Sequence, residues 1–258
     1  MEKAVAMLAA ERRRTLAETV RTRGRLEVAV AAAELRTSTE TIRKDLIDLE
    51  SRGLLRRVHG GALPPESLTF EPTIASRTQH AEEKRRIALR AVQQVPAQGA
   101  VFLDAGSTTL VLAELMPLPA GLIVFTNALT VAGALAARDF ADCHTTGGRV
   151  RPTSLAEVGP QALRAFDDVR FDVAFVGTNA VSFSRGLCTP DPEEAAIKRA
   201  IITSADRVVL LADHGKFGRD SLVRYATLSD VDVVITGVEV LDEHRDALVE
   251  AGVELLLA

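Results

Sequence analysis

One short stretch decides how the first quarter of the chain folds: Thr37-Ser38-Thr39-Glu40-Thr41-Ile42-Arg43-Lys44-Asp45-Leu46-Ile47-Asp48-Leu49. Ile42, Leu46 and Leu49 recur at i, i+4 and i+7, a spacing that places them on one face of a helix. Thr37 and Glu40 have the spacing of a capping box, in which each side chain satisfies a free amide of the first turn. The stretch therefore predicts an amphipathic helix with a buried apolar stripe and a charged outer face.

Two more helices are predicted before this stretch, and a basic hairpin after it. The helices cover residues 11–23 and 28–35, and Gly53 is expected to end the third helix. Residues 54–59 are predicted to form a strand that turns at Gly60 and Gly61. Three short helices followed by a basic hairpin are typical of a winged helix-turn-helix, whose third helix enters the major groove of DNA.

Two kinds of DNA contact are expected from this arrangement. Hydroxyl groups at a helix N-terminus suit phosphate oxygens, because the free amides and the helix dipole already favour anions there. Arginine and lysine one turn later can reach base edges or further phosphates. The candidate DNA-binding residues are Ser38, Thr39, Thr41, Arg43, Lys44, Arg56, Arg57 and His59. The alternative is an exposed amphipathic helix with a solvated charged face, which the neighbouring helices and the basic hairpin disfavour.

Charge is distributed unevenly along the 258 residues. Residues 1–65 carry 13 Lys and Arg against 9 Asp and Glu, a net charge of +4, whereas the remaining residues carry −8, so that the whole chain has −4. A basic head on an acidic body suggests that the head alone binds a polyanion. No apolar run approaches the roughly 20 residues of a membrane span, and the N-terminal segment does not have the form of a signal peptide. A cytoplasmic location is expected.

The two cysteines, Cys143 and Cys188, lie far apart and have no CxxC spacing or histidine cluster beside them. In a cytosolic chain this pattern favours free thiols over a disulfide or a zinc site. We therefore expect no metal and no cofactor.

The pattern changes beyond Leu63-Pro64-Pro65-Glu66-Ser67, a run that interrupts regular structure. Residues 63–75 are interpreted as a linker between a DNA-binding domain at 1–62 and an α/β domain at 76–258. In the latter, short apolar runs alternate with helical stretches, which predicts a doubly wound, mostly parallel sheet. The predicted strands are residues 100–103, 122–125, 172–176, 207–211 and 231–235, and the predicted helices are 82–95, 108–115, 129–137, 192–204 and 243–251.

Small and polar residues follow several of these strands, at the edge where open α/β sheets bind ligands. Residues 104–109 could hold an anion with amides and hydroxyls, although an ordinary strand-to-helix turn remains the alternative. Glu194 and Lys198, four residues apart, are equally compatible with a surface ion pair. Lys216, on a glycine-flanked loop, is the best candidate for binding a phosphate. The candidate effector-binding residues are Asp104, Gly106, Ser107, Thr108, Thr109, Thr126, Asn127, Gly147, Gly148, Gly177, Glu194, Lys198 and Lys216.

These motifs, in this order, resemble the DeoR family of bacterial transcription regulators. The resemblance rests on Thr41-Ile42-Arg43-Lys44-Asp45-Leu46, Leu49-Glu50, Gly53-Leu54-Leu55-Arg56-Arg57-Val58-His59-Gly60-Gly61-Ala62, Glu83-Lys84-Arg85-Arg86-Ile87-Ala88 and Asp104-Ala105-Gly106-Ser107-Thr108-Thr109. The sequence departs from the pattern at Ala31, Arg36, Gly215 and Gly237, where leucine, glycine, serine and aspartate are more common.

The resemblance implies a repressor of a sugar-metabolism operon that binds operator DNA and responds to a sugar phosphate. It also implies that the α/β domain resembles sugar-phosphate isomerases and deaminases in fold. Residues 186–218 resemble regulators of fructose operons, which suggests fructose 1-phosphate as the effector. Because one head offers few side chains to bases, a homo-oligomer, either a dimer or a tetramer, is expected.

The main rival is a sugar-phosphate isomerase with an appended DNA-binding head. An isomerase needs a carboxylate base and an acid for the carbonyl oxygen. No segment resembles the isomerases' catalytic loop, and turnover would consume the signal that a sensor reports. A regulator without enzymatic activity is therefore favoured, both over this rival and over a purely structural adaptor.

Overall fold

The computed structural model describes residues 8–51, 54–64, 68–69, 71–140 and 142–258. The helix end predicted at Gly53 and residues 65–67 and 70 of the predicted linker lie outside these ranges. The chain forms two compact units, Met1–Phe70 and Glu71–Ala258.

The described part of the N-terminal unit contains three helices and a three-stranded antiparallel sheet of order β1–β3–β2. The elements are α1 (Ala9–Arg23), β1 (Leu26–Glu27), α2 (Val28–Glu34), α3 (Thr39–Ser51), β2 (Arg56–Val58) and β3 (Gly61–Leu63). Ile42, Leu46 and Leu49 are buried, together with Leu16 and Val20 of α1. The predicted winged helix-turn-helix is confirmed. Its third strand, β1, was missed because two residues are too short for a pattern.

The turn between α2 and α3 differs from the predicted capping. The Thr37 amide donates to the Ala32 carbonyl and the Arg36 amide to the Ala33 carbonyl, so Thr37 completes the end of α2. The side chain that caps α3 is that of Ser38, whose Oγ accepts from the Thr41 amide at 3.1 Å. The capping box predicted from Thr37 and Glu40 is therefore wrong by one residue, because Thr37 already serves the preceding helix.

The C-terminal unit is built around a parallel sheet of seven strands, with order β15–β14–β12–β9–β4–β5–β6. In chain order the described elements are α4 (Ala81–Val92), β4 (Gly99–Leu103), α5 (Ser107–Leu115), β5 (Leu122–Thr126), α6 (Leu129–Ala136), β6 (Cys143–Thr145), β7 (Arg149–Val150), β8 (Glu157–Val158), α7 (Pro160–Arg164), β9 (Val173–Gly177), β10 (Ala180–Ser182), β11 (Gly186–Thr189), α8 (Pro192–Thr203), β12 (Val208–Leu211), β13 (Val223–Ala226), β14 (Val233–Thr236), α9 (Asp242–Glu250) and β15 (Glu254–Leu257). One-turn helices occur at Ile74–Ser76, His214–Lys216 and Leu228–Asp230.

Helices cover both faces of this sheet. Along β4, Val101 and Leu103 pack into the core beneath α4, α5 and α6, whereas Phe102 packs into the core beneath α7, α8 and α9. This alternation buries both faces, as a parallel sheet requires. The predicted doubly wound α/β fold is confirmed, and each of the five predicted strands and five predicted helices has an observed counterpart.

The order of the strands reverses at the middle of the sheet. From β4 the chain proceeds outward through β5 to β6, and it then returns to β9 on the other side of β4 and continues outward to β15. The carboxyl ends of β4 and β9 therefore flank a topological switch point, where open α/β sheets form a ligand crevice. Among the described residues, no helix combines the length and apolar composition needed to cross a lipid bilayer.

Candidate functional site

The outer face of α3 carries the side chains predicted to contact DNA. Ser38, Thr39, Arg43 and Lys44 are exposed, and Thr41 is half-buried. The Arg43 guanidinium makes one loose ion pair with Glu40, at 3.7 Å. Because both partners are solvated, this pair holds Arg43 only weakly, and its charge remains available to an anion.

The basic residues of the wing hairpin, formed by β2 and β3, differ in their exposure and in their partners. His59 lies exposed in the turn between β2 and β3. Arg57 is attached to α3, because Glu50 accepts from the Arg57 backbone amide at 2.8 Å and from its Nε at 2.6 Å. Arg56 is half-buried. These bonds fix Arg57 against the third helix, so that in this arrangement it positions the wing.

A charged cluster between α1 and α3 was not recognised from the sequence. Asp45 is only 3% exposed and accepts hydrogen bonds from Arg12 and Arg13, and Arg13 also reaches Asp48 at 3.0 Å. Burial acts to raise the pKa of Asp45, but the two arginines outweigh it, and the pKa is lowered from its ordinary value. The ion pairs therefore fasten α3 to α1.

A cleft opens at the switch point of the sheet in the C-terminal unit. Loops after β4, β9 and β12 meet there with the first turn of α5 and with α8. The cleft is lined by Arg77, Ala105, Gly106, Ser107, Thr108, Thr109, Gly177, Thr178, Asn179, Glu194, Lys198, Leu211, Asp213 and Lys216. Eight of the thirteen predicted effector-binding residues lie in this lining: Gly106, Ser107, Thr108, Thr109, Gly177, Glu194, Lys198 and Lys216.

Lys216 is the last residue of the one-turn helix His214–Lys216, and it lines one side of the cleft. Asp213 begins this helix, its carboxylate accepting from the Gly215 amide at 3.2 Å. Burial, together with the positive charges of Arg77 and Lys84, lowers the pKa of Lys216 to about 8, against the opposing charge of Asp213. Within the described residues, the Lys216 ammonium group has no hydrogen-bond or ion-pair partner. This leaves a cation in the cleft that an anionic ligand can neutralise.

Asp104 lies beneath the cleft and is not among the residues that line it. It is 1% exposed, and its Oδ2 accepts from the Lys198 ammonium and, at 3.0 Å, from the Gly177 amide. Lys198 also donates to the Gly177 carbonyl at 2.9 Å. Burial raises the pKa of Asp104 against these partners, and its Oδ1 has no hydrogen-bond partner within the described residues.

Glu194 and Lys198 do not form the surface ion pair that was one interpretation of their spacing. Both are buried, and each has a different partner. Glu194 accepts from Arg151 and Ser154, and these groups, together with the nearby Lys198, lower its pKa although burial acts to raise it. Arg151 in turn contacts Glu71 at 2.9 Å. The surface-pair interpretation was wrong because this face of α8 is buried against the rest of the C-terminal unit.

Thr126, Asn127, Gly147 and Gly148 lie outside the lining of the cleft. Thr126 donates to the Leu103 carbonyl, and Asn127 accepts from the Ala105 amide at 3.1 Å, so both brace the loop after β4. The Gly147 amide donates to Glu157, and a side chain at Gly148 would collide with the Val158 carbonyl. A role of these four residues in binding an effector stays a prediction.

Two basic residues near the cleft were missed. Arg77 lines it and donates to Glu71 and to the Pro72 carbonyl. Lys84 is buried next to it and donates to the Arg77 carbonyl at 3.0 Å. Arg77 lies just after the predicted linker, where no local pattern marks it. The structure also brings together His80, Glu83 and His214, although the sequence indicated no histidine cluster.

The comparisons with known protein families match both units. Residues 12–67 match the DeoR-like helix-turn-helix domain, and residues 79–238 match the DeoR C terminal sensor domain.

Full-length relatives carry regulator names. The chain is 38% identical over 251 residues to the HTH-type transcriptional regulator GlpR of Haloferax volcanii, covering 97% of this chain and 98% of the relative. It is 33% identical to a putative aga operon transcriptional repressor of Escherichia coli O157:H7, covering 96% and 93%. It is 30% identical to the glycerol-3-phosphate regulon repressor of Escherichia coli K12, covering 91% and 96%.

The solved structures that match the chain are less similar to it than these relatives are. Ribose 5-phosphate isomerase A from Methanocaldococcus jannaschii has a TM-score of 0.39 at 15% identity, over 54% of this chain and 55% of that one. A probable sor operon regulator from Shigella flexneri has a TM-score of 0.42 at 10% identity, over 78% and 96%. Both likenesses are too distant to indicate a shared activity.

Proposed function

Because the chain belongs to the DeoR family of transcriptional regulators, we propose that its C-terminal unit binds a sugar phosphate and thereby changes the affinity of its winged helix-turn-helix for operator DNA. The operon is one of sugar or polyol metabolism, and the protein acts as its repressor in the cytoplasm. The names of the relatives support this assignment, since they include repressors of the aga operon and of the glycerol-3-phosphate regulon.

The observation that carries the proposal is the set of groups in the cleft. An unpaired Lys216 ammonium faces the same space as the first turn of α5, where Ser107, Thr108 and Thr109 follow Gly106. The first amides of a helix have no partner within the helix, and its dipole favours a negative charge at that end. A phosphate group satisfies both the amides and the lysine, and Ser107 adds a hydroxyl group.

The polar wall of the cleft supports recognition of the sugar itself. Thr178, Asn179 and Glu194 also line the space, and Asp104 lies beneath it with a free carboxylate oxygen. These groups can accept or donate hydrogen bonds to sugar hydroxyls. We infer that the sugar phosphate is bound without conversion, since Lys198, the buried cation beside Asp104, is already neutralised by that carboxylate.

DNA binding is tested on α3. Replacing both Arg43 and Lys44 by alanine removes two exposed cations from its outer face. Each contact that reads a base is worth about 1–3 kcal/mol, whereas loss of a phosphate contact weakens binding to all sequences and lowers the salt slope by about one. We expect weaker operator binding by fluorescence anisotropy across a salt series. Arg14→Ala on α1, which also removes an exposed cation, is the control, and unchanged operator affinity in the double variant contradicts the assignment.

The effector is tested in the same assay. Fructose 1-phosphate and glycerol 3-phosphate, each beside its unphosphorylated form, are added to the complex of the full chain with operator DNA. We expect one phosphorylated compound to change the dissociation constant at least severalfold and its free form to leave it unchanged. If the free form acts equally, the proposed phosphate contact is wrong. Detection of an isomerised product after long incubation would instead favour the enzyme alternative.

A further inference from the structure

A second cluster of side chains lies next to the one-turn helix that carries Lys216. His80 precedes α4, Glu83 lies in its first turn, and His214 begins the one-turn helix. Their nearest ligand atoms all lie within 4.8 Å of one another. We propose that these three residues, here called the His–Glu–His cluster, bind a divalent transition-metal ion, zinc being the first choice. The proposal goes beyond the regulatory function and does not depend on it.

The distances fit a metal with few adjustments. In a tetrahedral zinc site with bonds of about 2.0–2.2 Å, neighbouring ligand atoms lie about 3.4 Å apart. Glu83 Oε2 lies 2.7 Å from Nδ1 of His214 and 3.8 Å from Nδ1 of His80, on either side of this value. The ligand atoms of the two imidazoles lie within 4.8 Å of each other, so that binding of the metal draws the two rings together. The proton between His214 and Glu83 leaves to solvent when the metal binds.

The carboxylate is already positioned for this role. Glu83 is 4% exposed, and its Oε1 accepts from the backbone amide of His214 at 2.7 Å, which leaves Oε2 directed at the two imidazoles. A ligand carboxylate held by a second hydrogen bond is the usual support around a metal. Two imidazoles and one carboxylate suit zinc, and they leave one coordination position for water.

The backbone at His80 supports the same conclusion. His80 has φ of 57°, a left-handed conformation that is uncommon outside glycine. Its ring packs edge-to-face against that of His214, with centroids 4.5 Å apart. Such a conformation persists where the surroundings over-determine it, and it is frequent at functional sites. Here it brings the His80 ring beside its neighbour.

Two glycines leave the space that the cluster needs. A side-chain carbon at Gly237 would lie 2.4 Å from Glu83 Oε1, and one at Gly215 would lie 3.3 Å from Nε2 of His80. A side chain at either position would therefore press on a member of the cluster, which the two glycines avoid.

Zinc binding to the full chain tests the proposal. Metal-free protein is titrated with zinc chloride by calorimetry, and zinc retained after dialysis is counted per chain. His80→Ala and His214→Ala are compared with His144→Ala, which removes another exposed histidine of the same unit. Because His80 lies at the surface, its replacement leaves the fold intact, which far-UV circular dichroism verifies.

We expect one zinc per chain in the wild type and in His144→Ala, and a zinc affinity at least 10-fold lower in the two cluster variants. Loss of a residue that only supports a metal ligand already lowers the affinity by about 10-fold or more, and these variants lose a ligand itself. Cobalt(II) added to the wild type should give visible absorption of a tetrahedral site, which His80→Ala loses. Absence of stoichiometric zinc binding, or an affinity in His80→Ala within 10-fold of that of His144→Ala, overturns the proposal. Neither DNA nor an effector is present, so the result is independent of the function proposed above.

Discussion

At the scale of single residues, Arg36 has a conformation that suits glycine. It occupies the position after the end of α2 with φ of 47°, and its amide and that of Thr37 close the helix through the carbonyls of Ala33 and Ala32. This is the Schellman arrangement, in which the left-handed residue is usually glycine because a Cβ is strained there. The turn of the helix-turn-helix therefore contains strain that the family pattern avoids.

Arg36→Gly should stabilise the N-terminal unit by about 1 kcal/mol, since a left-handed residue with a side chain costs about 1–2 kcal/mol and glycine is less ordered when unfolded. Hydrogen-exchange protection of α2 and α3 in the full chain measures the change. Arg36→Ala is the matched control, because it removes the same charge and keeps the strain. Equal protection in the two variants would show that the strain is absent. If Arg36 also contacts a phosphate, both variants lower the salt slope of DNA binding.

At the scale of elements, α3 is held in place by the charges that fasten it to α1. Asp45 has a lowered pKa in the folded state because Arg12 and Arg13 donate to it. A carboxyl group with a lowered pKa contributes stability above its unfolded pKa, and this contribution is lost as the pH falls through the folded value. The loss therefore begins below about pH 4, near the ordinary value of 3.8.

We predict that Asp45→Asn lowers the stability of the N-terminal unit at pH 7 by about 1.5–3 kcal/mol, the range for a hydrogen bond to a charged group. The difference from wild type should shrink as the pH falls below the ordinary value of 3.8, because protonation of the wild-type carboxyl group removes the charge that the two arginines bind. Exchange protection of α3, corrected for the intrinsic rate at each pH, measures this. A difference that stays the same between pH 7 and pH 3 would mean that Asp45 does not act through its charge.

The regular elements of the fold could be predicted because their apolar patterns are long. The strand beginning at Gly99 and the helix beginning at Pro192 have boundaries within a residue of those expected. The short strands β7, β8, β10 and β11 were missed, since two to four residues are too few to show an apolar pattern. The edge strand β6 shows no continuous apolar run, whereas β15 was missed although Leu255, Leu256 and Leu257 form one.

The candidate cleft could be predicted only in part. Residues at the carboxyl ends of strands were identified because the topology of a parallel sheet brings those ends together. Arg77 and the partner of Glu194, Arg151, were missed because they reach the site from segments without a motif. The His–Glu–His cluster joins residues that are 131 positions apart, and no local spacing can reveal it.

At the scale of the whole molecule, one winged helix-turn-helix presents few side chains to base edges, and paired heads on repeated half-sites supply the affinity that one lacks. The C-terminal unit has its own two cores and exposes large apolar side chains at Leu222, Val238 and Leu241. We predict that the protein is a dimer or tetramer assembled through this unit.

Sedimentation of the full chain and of residues 71–258 measures the assembly. Both should sediment as the same oligomer at micromolar concentration, because the contacts lie in the C-terminal unit. A monomeric fragment beside an oligomeric full chain would place the contacts in the N-terminal unit. A monomeric full chain would remove the argument for paired heads.

The central claim, that the cleft binds a phosphorylated sugar through Lys216, is tested most directly by a thermal-shift series. A ligand that binds only the folded state stabilises it by about 2.7 kcal/mol at a hundredfold excess over Kd, which corresponds to a rise in Tm of roughly 5–11 °C for a domain of this size. The wild type, Lys216→Ala and the control Lys44→Ala are heated with fructose 1-phosphate, glycerol 3-phosphate and their free forms. We predict that only phosphorylated compounds stabilise the wild type and Lys44→Ala, and that Lys216→Ala loses most of the shift. A full response of Lys216→Ala, or an equal response to the free forms, would contradict the claim.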